Sequence, residues 1–215
     1  KYKKLYATEL RKYKHICMRE KRGAELVESL IGYKPEVVLD PTLLLGPSEW
    51  NVLSQKSKIE IESPYILIYV LEYSFNVYPY MYDLIKHVQQ QLDMKLVVLG
   101  MSTKHAMNLS NKVILHDASV YDFVKVFANA SLVITDSFHG TAFSLNLNIP
   151  FYSVVNNDEK SDSRVVDLLN IVKDRGRIIK KGDDFTKVTF NLLPPNNDQI
   201  YGIRKISLSK LRSLL

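Results

Sequence analysis

Ser131-Leu132-Val133-Ile134-Thr135-Asp136-Ser137-Phe138-His139-Gly140-Thr141-Ala142 runs an apolar strand straight into a polar turn holding one histidine, and then into an apolar helix. Leu132, Val133 and Ile134 show no polar alternation, which reads as a strand buried on both faces, the parallel-sheet pattern. The carboxyl edge of that sheet then falls at Asp136 to His139. Gly140 is expected to permit a tight turn. The helix predicted to start near Thr141 would present backbone N–H groups with partial positive charge, suited to a phosphate or carboxylate. His139 would stand beside that anion, placed to donate a proton.

Outward from this stretch strands and helices alternate, which argues for βαβ units around a parallel sheet and so for an α/β fold. Upstream, a basic helix from about Lys1 to Arg11 precedes a short strand at His15 to Met18. A helix from Gly23 to Leu30 stops at Gly32, and Val37 to Leu39 forms a strand ending at Asp40-Pro41. Pro47-Ser48-Glu49 opens a helical turn containing Trp50, and the polar stretch Ser54 to Lys58 reads as a linker. Tyr65 to Val70 is an aromatic and β-branched strand, followed by a helix from Pro79 to Gln91 and a strand from Lys95 to Leu99. Val113 to Leu115 is a strand, and Ser119 caps a helix whose Val120, Phe123, Val124 and Phe127 recur at helical spacing. Beyond the central stretch come a strand at Phe151 to Val155, a helix from Ser163 to Ile171 and a closing helix from about Ile206 to Leu215.

The chain has 215 residues, 46% of them hydrophobic, enough to bury one substantial core. Its formal charge is +6 and its pI about 9.2, but the basic residues are scattered. No helix-turn-helix, zinc-finger or aromatic ribonucleoprotein pattern accompanies them, which argues against a nucleic-acid partner and for a solvated surface or attraction to anionic substrates and lipid-linked phosphates. The single cysteine, Cys17, excludes an internal disulfide and reads as a small buried hydrophobe. His15, His87, His105, His116 and His139 have no ligand spacing with Cys or carboxylates, so no metal is expected. No apolar run approaches the roughly 18 residues of a membrane span, and no signal peptide stands in the sequence, so a cytoplasmic location is expected.

Val133-Ile134-Thr135-Asp136-Ser137-Phe138-His139-Gly140-Thr141, with Asn148-Ile149-Pro150-Phe151 after it, resembles the signature of the polysaccharide pyruvyl transferase family. Met18-Arg19-Glu20-Lys21, Val38 to Leu45 and Ser163 to Leu169 fit the same family in the same order. The resemblance implies a Rossmann-like parallel sheet flanked by helices, like the C-terminal lobe of a GT-B-like fold. It also implies transfer of pyruvate from phosphoenolpyruvate to a sugar, as a ketal, in cell-surface polysaccharide biosynthesis. Phosphoenolpyruvate would be the donor substrate, with no further cofactor. The partner would be a sugar or lipid-linked oligosaccharide acceptor, bringing the protein near a membrane surface. The sequence opens at Lys1 without an initiator Met, and its first matching residues belong to the middle of the family pattern. The expectation is therefore a C-terminal portion of a longer protein, with residues 1–53 the remnant of an N-terminal lobe, 54–62 a linker and 63–215 the C-terminal lobe.

Phosphoenolpyruvate carries a carboxylate and a phosphate, so a site for it needs cationic donors, and protonating its methylene carbon needs a placed acid. His139 is the candidate acid; capping the helix, donating to a carbonyl or binding phosphate are its alternatives. Arg19, following an apolar strand, would place a guanidinium fork at a sheet's carboxyl edge, unless it pairs with Glu20 or Glu25. Arg164, in the first turn of a helix opened by Asp162-Ser163, opposes the helix dipole, which suggests an anionic partner or a surface role. Ser137 and Thr141 could donate to an anion or simply cap the helix. Asp136 could form the turn, touch substrate or orient His139. Two rival readings remain open. One is a GT-B sugar-nucleotide glycosyltransferase or epimerase, against which stands the lack of any acidic residue in Thr141 to Leu147. The other is a non-catalytic module lacking its partner lobe.

Overall fold

The computed structural model describes residues 2–72, 75–157 and 163–214. They form two compact units, Lys1–Leu44 with Gln199–Leu215, and Leu45–Asp198. The smaller holds α1 (Lys3–Leu10), β1 (Cys17–Met18), α2 (Lys21–Ile31), β2 (Glu36–Val37) and α3 (Pro41–Leu44). β1 and β2 pair in parallel, Cys17 opposite Glu36. As its sequence predicts, α2 stops at Gly32, whose φ of 75° is left-handed and whose N–H bonds the Glu28 carbonyl.

The larger unit runs through α4 (Pro47–Ser54), β3 (Tyr65–Tyr69), α5 (Tyr80–Leu92), β4 (Lys95–Leu99), α6 (Thr103–Met107), β5 (Lys112–Leu115) and α7 (Val120–Ala128). It continues through β6 (Leu132–Thr135), α8 (Phe138–Asn146), β7 (Phe151–Val155), α9 (Ser163–Ile171) and β8 (Ile178–Lys180). All six strands are parallel, in the order β5-β4-β3-β6-β7-β8. The chain builds outward from β3 in one direction, then returns to lay β6 on the other side of β3. That reversal opens a crevice beyond the carboxyl ends of β3 and β6, the place where open α/β sheets bind ligands.

β6 is buried throughout, as expected, and β3 and β4 are buried except for the half-buried Tyr69 and Lys95, because helices cover both faces. On one face Ile66, Ile68, Leu96, Val98, Leu132 and Ile134 pack in one cluster with Met81, Leu84, Ile85 and Val88, one stripe of α5 at helical spacing. Elsewhere Tyr69, Phe123, Phe127, Phe143 and Trp50 form a chain of ring contacts 4.6–6.0 Å apart between centroids, binding β3, α7, α8 and α4. Ser119 caps α7, as read, in a reciprocal box with Asp122.

The units divide the chain differently from the expected boundaries. α4 belongs to the larger unit, where Trp50 packs edge-on against Phe143 at 4.8 Å. Within the stretch read as linker, Ser57 is buried and its hydroxyl donates to Asp122. The closing helix, α10 (Asp198–Arg212), groups with residues 1–44: Ser207 Oγ accepts the Leu39 N–H at 3.0 Å, Arg204 Nε donates to the Leu43 carbonyl at 2.7 Å, and Lys210 pairs with Glu36. It starts eight residues before the expected Ile206 and passes through Gly202, a local propensity cost of about 1 kcal/mol that these contacts offset. Lys1 and Asp162, read as helix openers, lie outside the described residues.

Candidate functional site

At the end of β6 the chain is folded back on itself by side-chain bonds. Thr135 Oγ1 donates to the Tyr69 carbonyl at 2.6 Å and accepts the Ser137 N–H at 3.0 Å. Asp136, 7% exposed, points its carboxylate across the crevice and accepts the N–H groups of Leu71 at 2.8 Å and Glu72 at 3.1 Å. Burial pushes its pKa up; the two amide bonds oppose that, and the nearby Glu72 charge reinforces it, leaving it raised. Both carboxylate oxygens are thus engaged by backbone amides, so Asp136 braces the end of β6 to the end of β3, and its contacts are with the backbone beyond β3.

α8 starts at Phe138, three residues earlier than expected, with Ser137 at its N-cap and His139 and Gly140 in its first turn. Gly140 is therefore not a turn residue. A Cβ at this position would clash with Thr135 Oγ1 and lie 2.9 Å from both Thr135 Cβ and Tyr69 Cδ1, so glycine here lets α8 close onto β6 and β3. Thr141, fully buried, has its N–H and Oγ1 both on the Ser137 carbonyl at 3.0 Å, with Oγ1 also 2.7 Å from Ser153 Oγ. This corrects its reading as an anion donor: its polar groups fasten α8 to its own start and to β7.

Ser137 differs from these. Its side chain is 4% exposed and makes no capping bond to the helix. Its Oγ is the one buried side-chain polar atom among the described residues without a hydrogen bond. An orphaned buried hydroxyl costs about 1–3 kcal/mol unless something supplies a partner. His139, half-buried, lies next along the helix, its ring edge-on to Phe138 with centroids 5.4 Å apart. The Arg164 guanidinium, from the start of α9, lies 5.5 Å above the Phe138 ring. The larger unit thus brings Ser137, His139 and Arg164 around Phe138 at the N-terminus of α8.

Arg19 is on the smaller unit. Its NH1 donates to Asp40 Oδ2 at 2.7 Å and its Nε stands 3.8 Å from Glu20, with the side chain 38% exposed. Asp40, 2% exposed, also accepts the Thr42 N–H and hydroxyl. The Asp40-Pro41 turn, read as a strand end, is in addition the anchor of the guanidinium.

Sequence reading missed a second polar group at the same sheet edge. Glu72, just past β3, accepts the Ser102 N–H at 2.9 Å and the Tyr78 hydroxyl at 3.1 Å, and faces His105 Nδ1 at 3.3 Å. Burial alone would raise its pKa, but these bonds and His105 outweigh it and hold the carboxyl below its usual 4.5. The signal was a carboxylate directly after the apolar run Tyr65 to Leu71; the partners lie 6 to 33 residues away and come together only through the β4 crossover.

A two-unit α/β protein with an anion-suited helix start at the crevice of a parallel sheet is what fold and site define. The polysaccharide pyruvyl transferase family model matches residues 1–159, and the chain belongs to that family. Among solved structures it is similar to UDP-GlcNAc 2-epimerase from Methanocaldococcus jannaschii, at TM-score 0.53 and 14% identity over 91% of this chain and 62% of that one. It is also similar to a protein assigned as a UDP-N-acetylglucosamine 2-epimerase in Listeria monocytogenes, at TM-score 0.50 and 12% identity over 93% and 59%. The fold is accordingly a parallel, Rossmann-like sheet of the GT-B-like kind. The chain spans about three fifths of the length of these structures. No curated protein matches it. Among the described residues no helix is long and apolar enough to cross a membrane.

Proposed function

We propose that this chain carries the phosphoenolpyruvate-binding part of a pyruvyl transferase that places pyruvate on a sugar as a ketal, in cytoplasmic steps of cell-surface polysaccharide synthesis. The observation that carries the reading is the Ser137 hydroxyl, buried and unpartnered at the N-terminus of α8. An anion there would meet the partial positive charge of the helix and accept from Ser137, with the Arg164 charge nearby. His139, in the same first turn, supplies the acid that carbon protonation requires. Arg19, bound to Asp40, is the family-motif cation of the smaller unit.

The sugar-nucleotide reading draws support from the names of the two structural neighbours. Against it stands α8, which offers no acidic residue for a ribose after His139. Isothermal calorimetry on the full-length protein with phosphoenolpyruvate and UDP, paired with phosphate release over a panel of lipid-linked sugars, tests the choice. Phosphoenolpyruvate binding with acceptor-dependent phosphate release is expected. UDP binding more tightly, with no phosphate release from any acceptor, overturns the proposal.

A further inference from the structure

Glu72 holds φ 59°, left-handed backbone that costs a non-glycine residue energy and tends to survive where a site requires it. Its bonds to the Ser102 N–H and the Tyr78 hydroxyl would already staple the loops beyond β3 and β4. The imidazole of His105 is an addition that such a staple does not need. Its Nδ1 stands 3.3 Å from Glu72 Oε2 and 3.1 Å from Ser102 Oγ. Its ring stacks on Tyr78 with centroids 3.6 Å apart. Two polar partners and one stacked ring therefore fix both its plane and its rotation. Nε2 makes no hydrogen bond among the described residues, and the side chain is 31% exposed. A carboxylate on Nδ1–H leaves Nε2 as a bare, basic lone pair, the arrangement by which carboxylates orient histidine bases.

The place fits a reaction at the crevice. β4 and β6 flank β3, so their carboxyl ends stand about 10 Å apart. Asp136, three residues before His139, itself holds the Glu72 N–H. Forming a ketal needs a second proton-handling group: His139 gives a proton to carbon, and the attacking hydroxyl must lose one elsewhere.

We infer that His105, oriented by Glu72, takes the proton of the acceptor sugar's first hydroxyl, an assignment that rests on the pyruvyl-transfer reading above. The hydroxyl oxygen bonds to the central carbon of phosphoenolpyruvate as its O–H proton passes to Nε2, while His139 protonates the methylene carbon to a methyl. The second hydroxyl then forms the second C–O bond as the C–O bond to phosphate breaks, its electron pair leaving with phosphate. The proton held by His105 goes to that phosphate and the proton of the second hydroxyl returns to His139, so both rings end as they began. His105 would be a catalytic residue and Glu72 the residue that positions it.

The test uses the full-length protein and its His105→Gln, Glu72→Ala and Glu72→Asp variants, with folding checked by circular dichroism. Phosphate release is followed over the lipid-linked sugar panel, phosphoenolpyruvate affinity by calorimetry and the imidazole tautomer by 15N–1H spectra. His105→Gln should lower acceptor-dependent kcat about a hundredfold with phosphoenolpyruvate affinity within about twofold. Glu72→Ala should fall comparably, and Glu72→Asp should recover part of the loss. Folded His105→Gln protein with unchanged kcat overturns the assignment. If the wild type turns over no acceptor, the pyruvyl-transfer reading fails instead, and the spectra decide the dyad. Nδ1–H with bare Nε2, lost in Glu72→Ala, supports it; Nε2–H with bare Nδ1 overturns it.

Discussion

Gly140 passes Thr135 with no room for a side chain: a Cβ on the glycine would overlap Thr135 Oγ1 and come within 2.9 Å of its Cβ. Thr135 cannot yield, because its hydroxyl holds both the Tyr69 carbonyl and the Ser137 N–H. Gly140→Ala should therefore destabilise the protein by about 2–3 kcal/mol, the cost of overpacking a closed core, although alanine in a helix usually gains about 1 kcal/mol over glycine. Urea unfolding checks the sign. A stability gain would mean that α8 does not close onto β6 as described.

Ser137→Ala should behave unlike an ordinary N-cap replacement. A capping serine costs about 1 kcal/mol when lost, but this hydroxyl caps nothing. Removing an unpartnered buried hydroxyl should leave stability unchanged or raise it by up to about 1 kcal/mol. The same variant should weaken phosphoenolpyruvate binding about tenfold, through loss of one donor to a charged group. Stability lost by about 1 kcal/mol with binding unchanged would reduce Ser137 to a cap.

The sheet was legible in the sequence because its signal is local: the apolar runs Tyr65 to Val70, Leu96 to Leu99 and Leu132 to Ile134 announce strands, and the structure places all three there. β8 went unread, being three residues, Ile178-Ile179-Lys180, without a distinctive run. The α8 boundary was misplaced because Gly140 reads locally as a breaker, whereas its absent side chain is demanded by Thr135 and Tyr69 through tertiary packing. His139 was legible from its motif; His105 was not, since its meaning depends on Glu72, 33 residues away, and on two crossovers that bring β3, β4 and β6 side by side.

His139→Gln keeps the size and polarity of a half-buried side chain in the first turn of α8, so thermal unfolding should change little. Turnover in the full-length protein should fall about a hundredfold or more on losing the acid that protonates carbon. On the proposed reading phosphoenolpyruvate is held by the helix start, Ser137 and Arg164, so its affinity should change far less. Near-wild-type turnover in a folded variant would remove His139 from the chemistry.

Glu72 and Asp136 should give the pH dependence of stability opposite signs, although Asp136 accepts the Glu72 N–H. Glu72 is held below its usual 4.5 in the fold, so its contribution is fully present above that value and is lost as pH falls through the depressed pKa. Asp136 is raised above its usual 3.8, so its contribution is greatest below that value and is lost as pH rises through the raised pKa. Neutral replacements remove each dependence while adding a constant cost from altered hydrogen bonds. Relative to wild type, Glu72→Gln should therefore be most destabilised at neutral pH and least at pH near 3. Asp136→Asn should be most destabilised near pH 3 and least at neutral pH. Urea unfolding of the three proteins across this range reads both slopes directly. Parallel slopes for the two variants would show that the Asp136 carboxylate is not penalised by its burial between β6 and β3.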